Sequence, residues 1–218
     1  MKPNTNKSSI WRYYIHTNPL YKFDTYGRTL LFHIPIELIQ LLLDTVEDKE
    51  QYCLIQDNSR CTALHYARTA EQTQLLLDAI KDKETYCLIQ SKYGWTALHW
   101  AKTAEQTQIL LDNVEDKETY CLIQSKYGWT ALFDAETAEI TRILLDIVND
   151  KEAYCLIQDY LGRTALHYAN TAEITQILLN SVTDPEAYCL IKDNFGCTAL
   201  HFSKSEEQRE LLLKYSIV

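Results

Sequence analysis

The chain repeats itself. Thr-Ala-Leu begins at Thr62, Thr96, Thr130, Thr164 and Thr198, always 34 residues apart, and a degenerate copy, Thr29-Leu30-Leu31-Phe32, begins 33 residues before the first. Tyr-Cys-Leu-Ile keeps the same period at Tyr52, Tyr86, Tyr120, Tyr154 and Tyr188. The stretch Asp82–Leu98 is identical to Asp116–Leu132, the mark of an in-frame duplication. A fixed period of this length means stacked supersecondary units. None buries an apolar face alone, so each must pack on its neighbours.

One unit shows the local logic. Thr62-Ala63-Leu64-His65-Tyr66-Ala67 predicts a short first helix. Thr69 then N-caps a second helix, with Gln72 three residues on in a capping-box pattern, and Leu75, Leu76, Leu77 and Ile80 give that helix an apolar side. The third segment, Asp82 to Ile89, ends in a short apolar run that suits a strand or a helix. Its counterpart Asp184-Pro185-Glu186 favours a helix. Asp is a good N-cap, Pro is tolerated at N1 because that N–H has no partner there, and an acid suits the first turn.

All five glycines of the chain, Gly27, Gly94, Gly128, Gly162 and Gly196, occupy one position in the turn between units. Glycine reserved for one place implies a backbone at positive φ. Unit two carries Arg60 there, so that turn is either strained or tolerant of the left-handed region. The ends differ from the middle. Residues 1–23, with Trp11 and His16, are expected to form an N-terminal cap on a single solenoid over 24–218, and Ser205-Glu206-Glu207-Gln208 starts a polar closing helix.

Gly94-Trp95-Thr96-Ala97-Leu98-His99-Trp100-Ala101, and again Gly162 to Ala169, resembles the ankyrin signature Thr-Pro-Leu-His-x-Ala, with alanine for proline. The similarity runs in register from about Asp24 to the C-terminus. It implies an all-α, ankyrin-like solenoid of about six stacked helical repeats with short finger turns. It also implies that His65, His99, His167 and His201 tie neighbouring turns together by hydrogen bonds. Two departures bear on geometry. The glycine that separates the two helices of an ankyrin repeat is missing, and its Gly-Ala-Asp linker is replaced by Asp-Lys-Glu-x-Tyr-Cys-Leu-Ile-Gln. The alternative fold is an α-solenoid of the armadillo or HEAT kind, whose periods are longer, about 40 to 47 residues.

Chemistry-bearing residues mostly follow the period. Cys53, Cys87, Cys121, Cys155 and Cys189 recur once per unit, and equivalent residues of stacked helices lie roughly 10 Å apart. They make a column of small buried hydrophobes, not a tetrahedral metal site. Cys61 and Cys197 fall on the turn and are expected to be exposed thiols. Four histidines in register do not suit a catalyst. Asp48, Asp82, Asp116, Asp150 and Asp184 suit helix caps. There is no phosphate loop, no His-Glu-x-x-His and no nucleophile elbow. No catalytic residue, metal ligand or cofactor is assigned, and an enzyme with an unrecognised site is the least favoured reading.

A net charge of −9 argues against a nucleic-acid partner. No apolar run approaches the roughly 20 residues that cross a bilayer, and Met1 to Leu20 lacks a Sec-type apolar core. Seven cysteines with no sign of an oxidising compartment suit a cytoplasmic protein, monomeric on its own. The positions that vary between units mark the expected binding face, because scaffold positions stay constant. Lys92, Tyr93 and Trp95, Lys126, Tyr127 and Trp129, and Tyr160 and Arg163 lie on the fingers. Trp100, Lys102, Asp134, Glu136 and Tyr168 follow the first helices. Tyr, Trp and Arg are enriched at interface hot spots. Asp134 and Glu136 are an acidic break expected to receive a partner's basic side chain. The expected function is a protein-binding scaffold, adaptor or inhibitor, its partner another protein. The resemblance also raises an effector secreted by an intracellular bacterium into a host cell, with Glu206, Glu207 and Glu210 followed by Leu211 to Val218 as an acidic-then-hydrophobic export signal.

Overall fold

The computed structural model describes residues 23–216, and among them every regular element is a helix. The N-terminal cap expected over 1–23 lies outside the described residues, apart from Phe23. Six units follow one another: 24–56, 57–90, 91–124, 125–158, 159–192 and 193–216. Each opens with a finger turn and continues with a first helix and a second helix; the first five close with a third.

The first helices, such as Ala63–Tyr66 and Ala97–Trp100, are single turns, tighter than expected: all are 3-10 except the α-helical Ala165–Tyr168. A four-residue helix has no free energy to spare for nucleation, so side chains close it. The Thr62 N–H donates to His65 Nδ1 at 3.1 Å. That bond leaves Nε2 as the protonated nitrogen of the neutral ring, which reaches the Trp95 carbonyl of the next unit at 3.1 Å. His99 repeats both contacts, on the Thr96 N–H and the Trp129 carbonyl.

The second helices, Ala70–Asp78 in unit 2 and Ala104–Asp112 in unit 3, are capped by Thr69 and Thr103. Gln72 completes the expected exchange one residue further out, accepting from the Arg68 N–H and not from the cap itself. Their buried Leu pairs, Leu42 and Leu43, Leu76 and Leu77, Leu110 and Leu111, Leu144 and Leu145, Leu178 and Leu179, run through the array as one continuous core. Each such side chain is worth about 1.5–3 kcal/mol of burial.

The third segment is helical, as Pro185 indicated: Lys83–Leu88, Lys117–Leu122, Lys151–Leu156 and Pro185–Leu190 each donate a first-turn N–H to the side chain of a capping Asp. The tyrosine inside it is fully buried, and its hydroxyl crosses to the preceding unit. Tyr86 donates to the Cys53 carbonyl, Tyr120 to Cys87, Tyr154 to Cys121 and Tyr188 to Cys155, at 2.9–3.1 Å. The column cysteines lie beside them, their thiols pushed up to about 12 by burial. A thiol held so far from ionisation is an inert packing group.

Unit 6 ends on Glu206–Ser216, capped by Ser205, with Leu212 buried against the preceding helices. Gln208, also buried, donates to the Ala169 carbonyl and Thr175 Oγ1 of unit 5.

Candidate functional site

The fingers are built on one side chain. Asp57 Oδ1 accepts from the N–H groups of Ser59 and Cys61 at 2.8 and 2.9 Å, and Asp159 and Asp193 do the same in units 5 and 6. In units 3 and 4 a serine takes over: Ser91 Oγ accepts from Tyr93 and Trp95, and Ser125 Oγ from Tyr127 and Trp129. The glycines sit at positive φ, and Arg60, their substitute, adopts φ 61°. Space matters as well as φ. A Cβ on Gly128 would stand 2.9 Å from the Asp159 Cα of the next finger. The fingers are linked by one backbone bond per step: Lys92 N–H to the Ser59 carbonyl, Lys126 to Tyr93, Tyr160 to Tyr127 and Asn194 to Leu161.

On this ladder the expected binding residues separate into three groups. Lys92, Tyr93, Lys126, Tyr127 and Tyr160 stand exposed at the tips. Tyr93 and Tyr127, 42% and 48% exposed, stack at 6.2 Å between ring centres. Trp95, Trp129, Arg163 and Tyr168 lie half-buried between fingers. Trp95 sets its ring edge-on to His99 at 5.2 Å and to Trp129 at 5.6 Å. Trp129 packs on Phe133 and Tyr168 and donates from Nε1 to Asp159 Oδ2 at 3.1 Å. Arg163 Nε donates to Asp193 Oδ2 at 2.9 Å, with its guanidinium over the Phe202 ring. These aromatic rings join finger to finger.

The third group lines an open groove of about 570 Å³ along the first helices, formed by His65, Tyr66, Arg68, Trp100, Lys102 and Asp134. Tyr66 and Trp100 meet edge-on at 5.5 Å. The acidic break has an occupant within the chain. Lys102 Nζ reaches Asp134 Oδ2 at 3.2 Å and Glu136 Oε1 at 2.7 Å. Burial pulls the Lys102 ammonium toward neutrality, but the hydrogen bond to Glu136 and the charge of Asp134 outweigh it, and its pKa is raised. Burial raises the Asp134 carboxyl, against the pull of Lys102.

The turn cysteines depart from expectation. Cys61 is buried, its thiol pushed up to about 11 by burial and the Asp57 charge, while Cys197 is half-exposed. Among the described residues, no three His, Cys, Asp or Glu side chains converge in a way that would hold a metal ion. Three apolar or aromatic tip residues outside the expected set are also open, Tyr26, Leu161 and Phe195. They share the column of Tyr93 and Tyr127, which was the available signal.

The comparisons with known proteins bear on the fold. The chain is similar to the ankyrin repeat domain of Bcl-3, a unique member of the IkappaB protein family, at 21% identity over 96% of this chain and 93% of that one, with a TM-score of 0.56. A second similar structure is EF0377, an ankyrin repeat protein, at 21% identity over 83% of this chain and 92% of that one, with a TM-score of 0.57. The fold is an ankyrin-repeat solenoid. No protein-family model matches the sequence, and no curated protein matches it. In this solenoid the return segment of each of the first five units is a short helix that carries the Tyr-Cys pair.

Proposed function

We propose that the chain is a protein-binding scaffold that takes its partner on the finger tips and the adjoining groove. The observation that carries this reading is the stacked, exposed pair Tyr93 and Tyr127, beside a groove walled by Tyr66 and Trp100. Exposed aromatic rings held rigid by a scaffold lose little entropy on binding and bury large areas. The ankyrin-repeat fold supports the same reading by analogy of architecture.

The test is affinity purification with the wild-type chain and a Tyr93→Ala/Tyr127→Ala variant, followed by mass spectrometry. Partners lost with the variant support the face, and equal recovery from both proteins rules it out. The tyrosines are the better probes because Trp129 is tied into the fold by its neighbours.

An effector role would use the same face inside a host cell. Its test is a translocation assay with Glu206, Glu207 and Glu210 changed to Gln, which leaves buried Leu212 and Gln208 in place. Unchanged export would remove the acidic export signal from the reading.

A further inference from the structure

Two sets of cations stand in contrast, apart from Lys192, Lys204, Arg209 and Lys214 near the C-terminal end, which make no ion pair with any described residue. Along the side where second helices meet third helices, lysines are matched to carboxylates: Lys49 to Asp44, Lys83 to Asp78, Lys117 to Asp112 and Lys151 to Asp146, at 2.6–3.4 Å. The acids there are occupied too. Glu50, Glu84 and Glu118 accept from the backbone N–H groups of Lys81, Glu115 and Asn149 in the following unit. On the fingers and the near end of the groove, Arg60, Arg68, Lys92 and Lys126 make no ion pair with any described residue. All four are exposed.

The turn chemistry increases this asymmetry. Fingers 1, 2, 5 and 6 close on a carboxylate, that of Asp24, Asp57, Asp159 or Asp193, whereas fingers 3 and 4 close on Ser91 and Ser125 with the same pair of backbone bonds. The neutral acceptor occurs in the two fingers that carry lysine at the tip. Each therefore has a net positive charge, while the whole chain carries −9. Stacked Tyr93 and Tyr127 lie between these charges. At the far end of the groove, Lys102 faces two carboxylates, a local net charge of −1 that disfavours an anion there.

Resting on the proposed finger-face reading, we infer that the partner presents an extended acidic segment with aromatic or aliphatic residues, and that it lies across fingers 2 to 4. Its carboxylates meet Arg60, Lys92, Lys126 and Arg68, and its apolar side chains meet the two tyrosines. An acidic peptide fits better than a nucleic acid. Four cations on an otherwise acidic protein give little counterion release, the main source of nucleic-acid affinity, while a rim of unpaired charge is what steers an oppositely charged peptide.

The test uses the full chain and labelled peptides that alternate Glu or Asp with Tyr or Leu, together with a Gln/Asn version, a Lys version and a single-stranded DNA of similar length, by fluorescence anisotropy at low and high salt. The acidic peptide is expected to bind more tightly than the other three and to weaken with salt. Two variants keep the outcome readable. Lys92→Glu/Lys126→Glu reverses the tip charges. Ser91→Asp/Ser125→Asp restores the turn acceptor used by four other fingers, so it changes charge while keeping the turn. Each is expected to lower affinity for the acidic peptide by roughly tenfold at low salt with an unchanged thermal melt. Equal binding of the acidic and neutral peptides, preference for the Lys peptide, or no response to either variant overturns the inference. Tighter DNA binding overturns it in favour of a nucleic-acid site. A partner lost with Tyr93→Ala/Tyr127→Ala but indifferent to charge reversal leaves the finger-face reading standing and removes only the acidic segment.

Discussion

At His65 and His99 one ring links a local cap to a long-range bond, whereas the cap is kept at His167 with its buried Nε2 unpartnered among the described residues. Where the histidine is kept, Thr62 and Thr96 share their hydroxyls and N–H groups with the imidazole. Where phenylalanine replaces it, at Phe32 and Phe133, the hydroxyls of Thr29 and Thr130 are buried with no partner. Burial, opposed by the hydrogen bond to the Trp129 carbonyl, lowers the His99 pKa to about 4, and burial lowers His65 and His167 too. In the unfolded chain these rings titrate near 6.5. Between those values the unfolded state binds protons that the native state refuses, so stability falls as pH drops from about 6.5 toward about 4. Urea unfolding across that window is expected to show the slope, and His99→Phe is expected to flatten it. An unchanged slope would mean that the buried rings do not govern it. Thiol titration checks burial directly. With a thiol-specific disulfide reagent, native protein is expected to expose Cys197 alone, and denatured protein all seven cysteines. Fast native reaction of Cys61 would contradict its buried position.

At the level of elements, what was legible in the sequence was what repeats within one unit. The period located the units, Pro185 decided the third helix, and the glycine column foretold positive φ, which Arg60 adopts without a glycine's freedom. Contacts between units were harder to read, since their partners lie 30 to 34 residues apart. Lys102 across Asp134 and Glu136, Trp129 on Asp159, and the tyrosine hydroxyl on the preceding cysteine carbonyl are all of this kind. Four of the thirteen candidate residues, Trp95, Trp129, Arg163 and Tyr168, therefore pack between fingers, while the five exposed tip residues could be recognised from residue type and variability. The tyrosine bond also gives the third helix its share of stability. Tyr120→Phe removes one hydroxyl and leaves a buried carbonyl short of a donor, a loss of about 1–2 kcal/mol. Chemical denaturation should read it, and a loss near zero would show that water or another group satisfies Cys87.

The whole molecule is a line of neighbours. Helices and finger bonds join each unit to the next, and tyrosine bonds join the first five, so stability is expected to grow with the number of interfaces. Deleting residues 91–124 removes one unit and joins Gln90 to Ser125, a dipeptide the chain already contains twice. The partners then fall into place: His65 meets the Trp129 carbonyl as His99 did, and Arg68 takes the column of Lys102 opposite Asp134 and Glu136. The shortened chain is expected to keep its helical circular dichroism and unfold at a lower temperature. A collapsed spectrum would show that some unit depends on more than its neighbours.

The identical stretch from Asp82 to Leu98 and from Asp116 to Leu132 has a meaning beyond stacking. Where the coding segments are as alike as the protein they specify, unequal exchange between them removes or adds one unit of 34 residues without disturbing the joins. The length of the solenoid is thus a heritable variable, and with it the number of lysine-bearing fingers placed side by side. Gain or loss by this route lengthens or shortens the row of fingers by whole graduations, as on a ruler, while the peptide join stays one that the chain already contains.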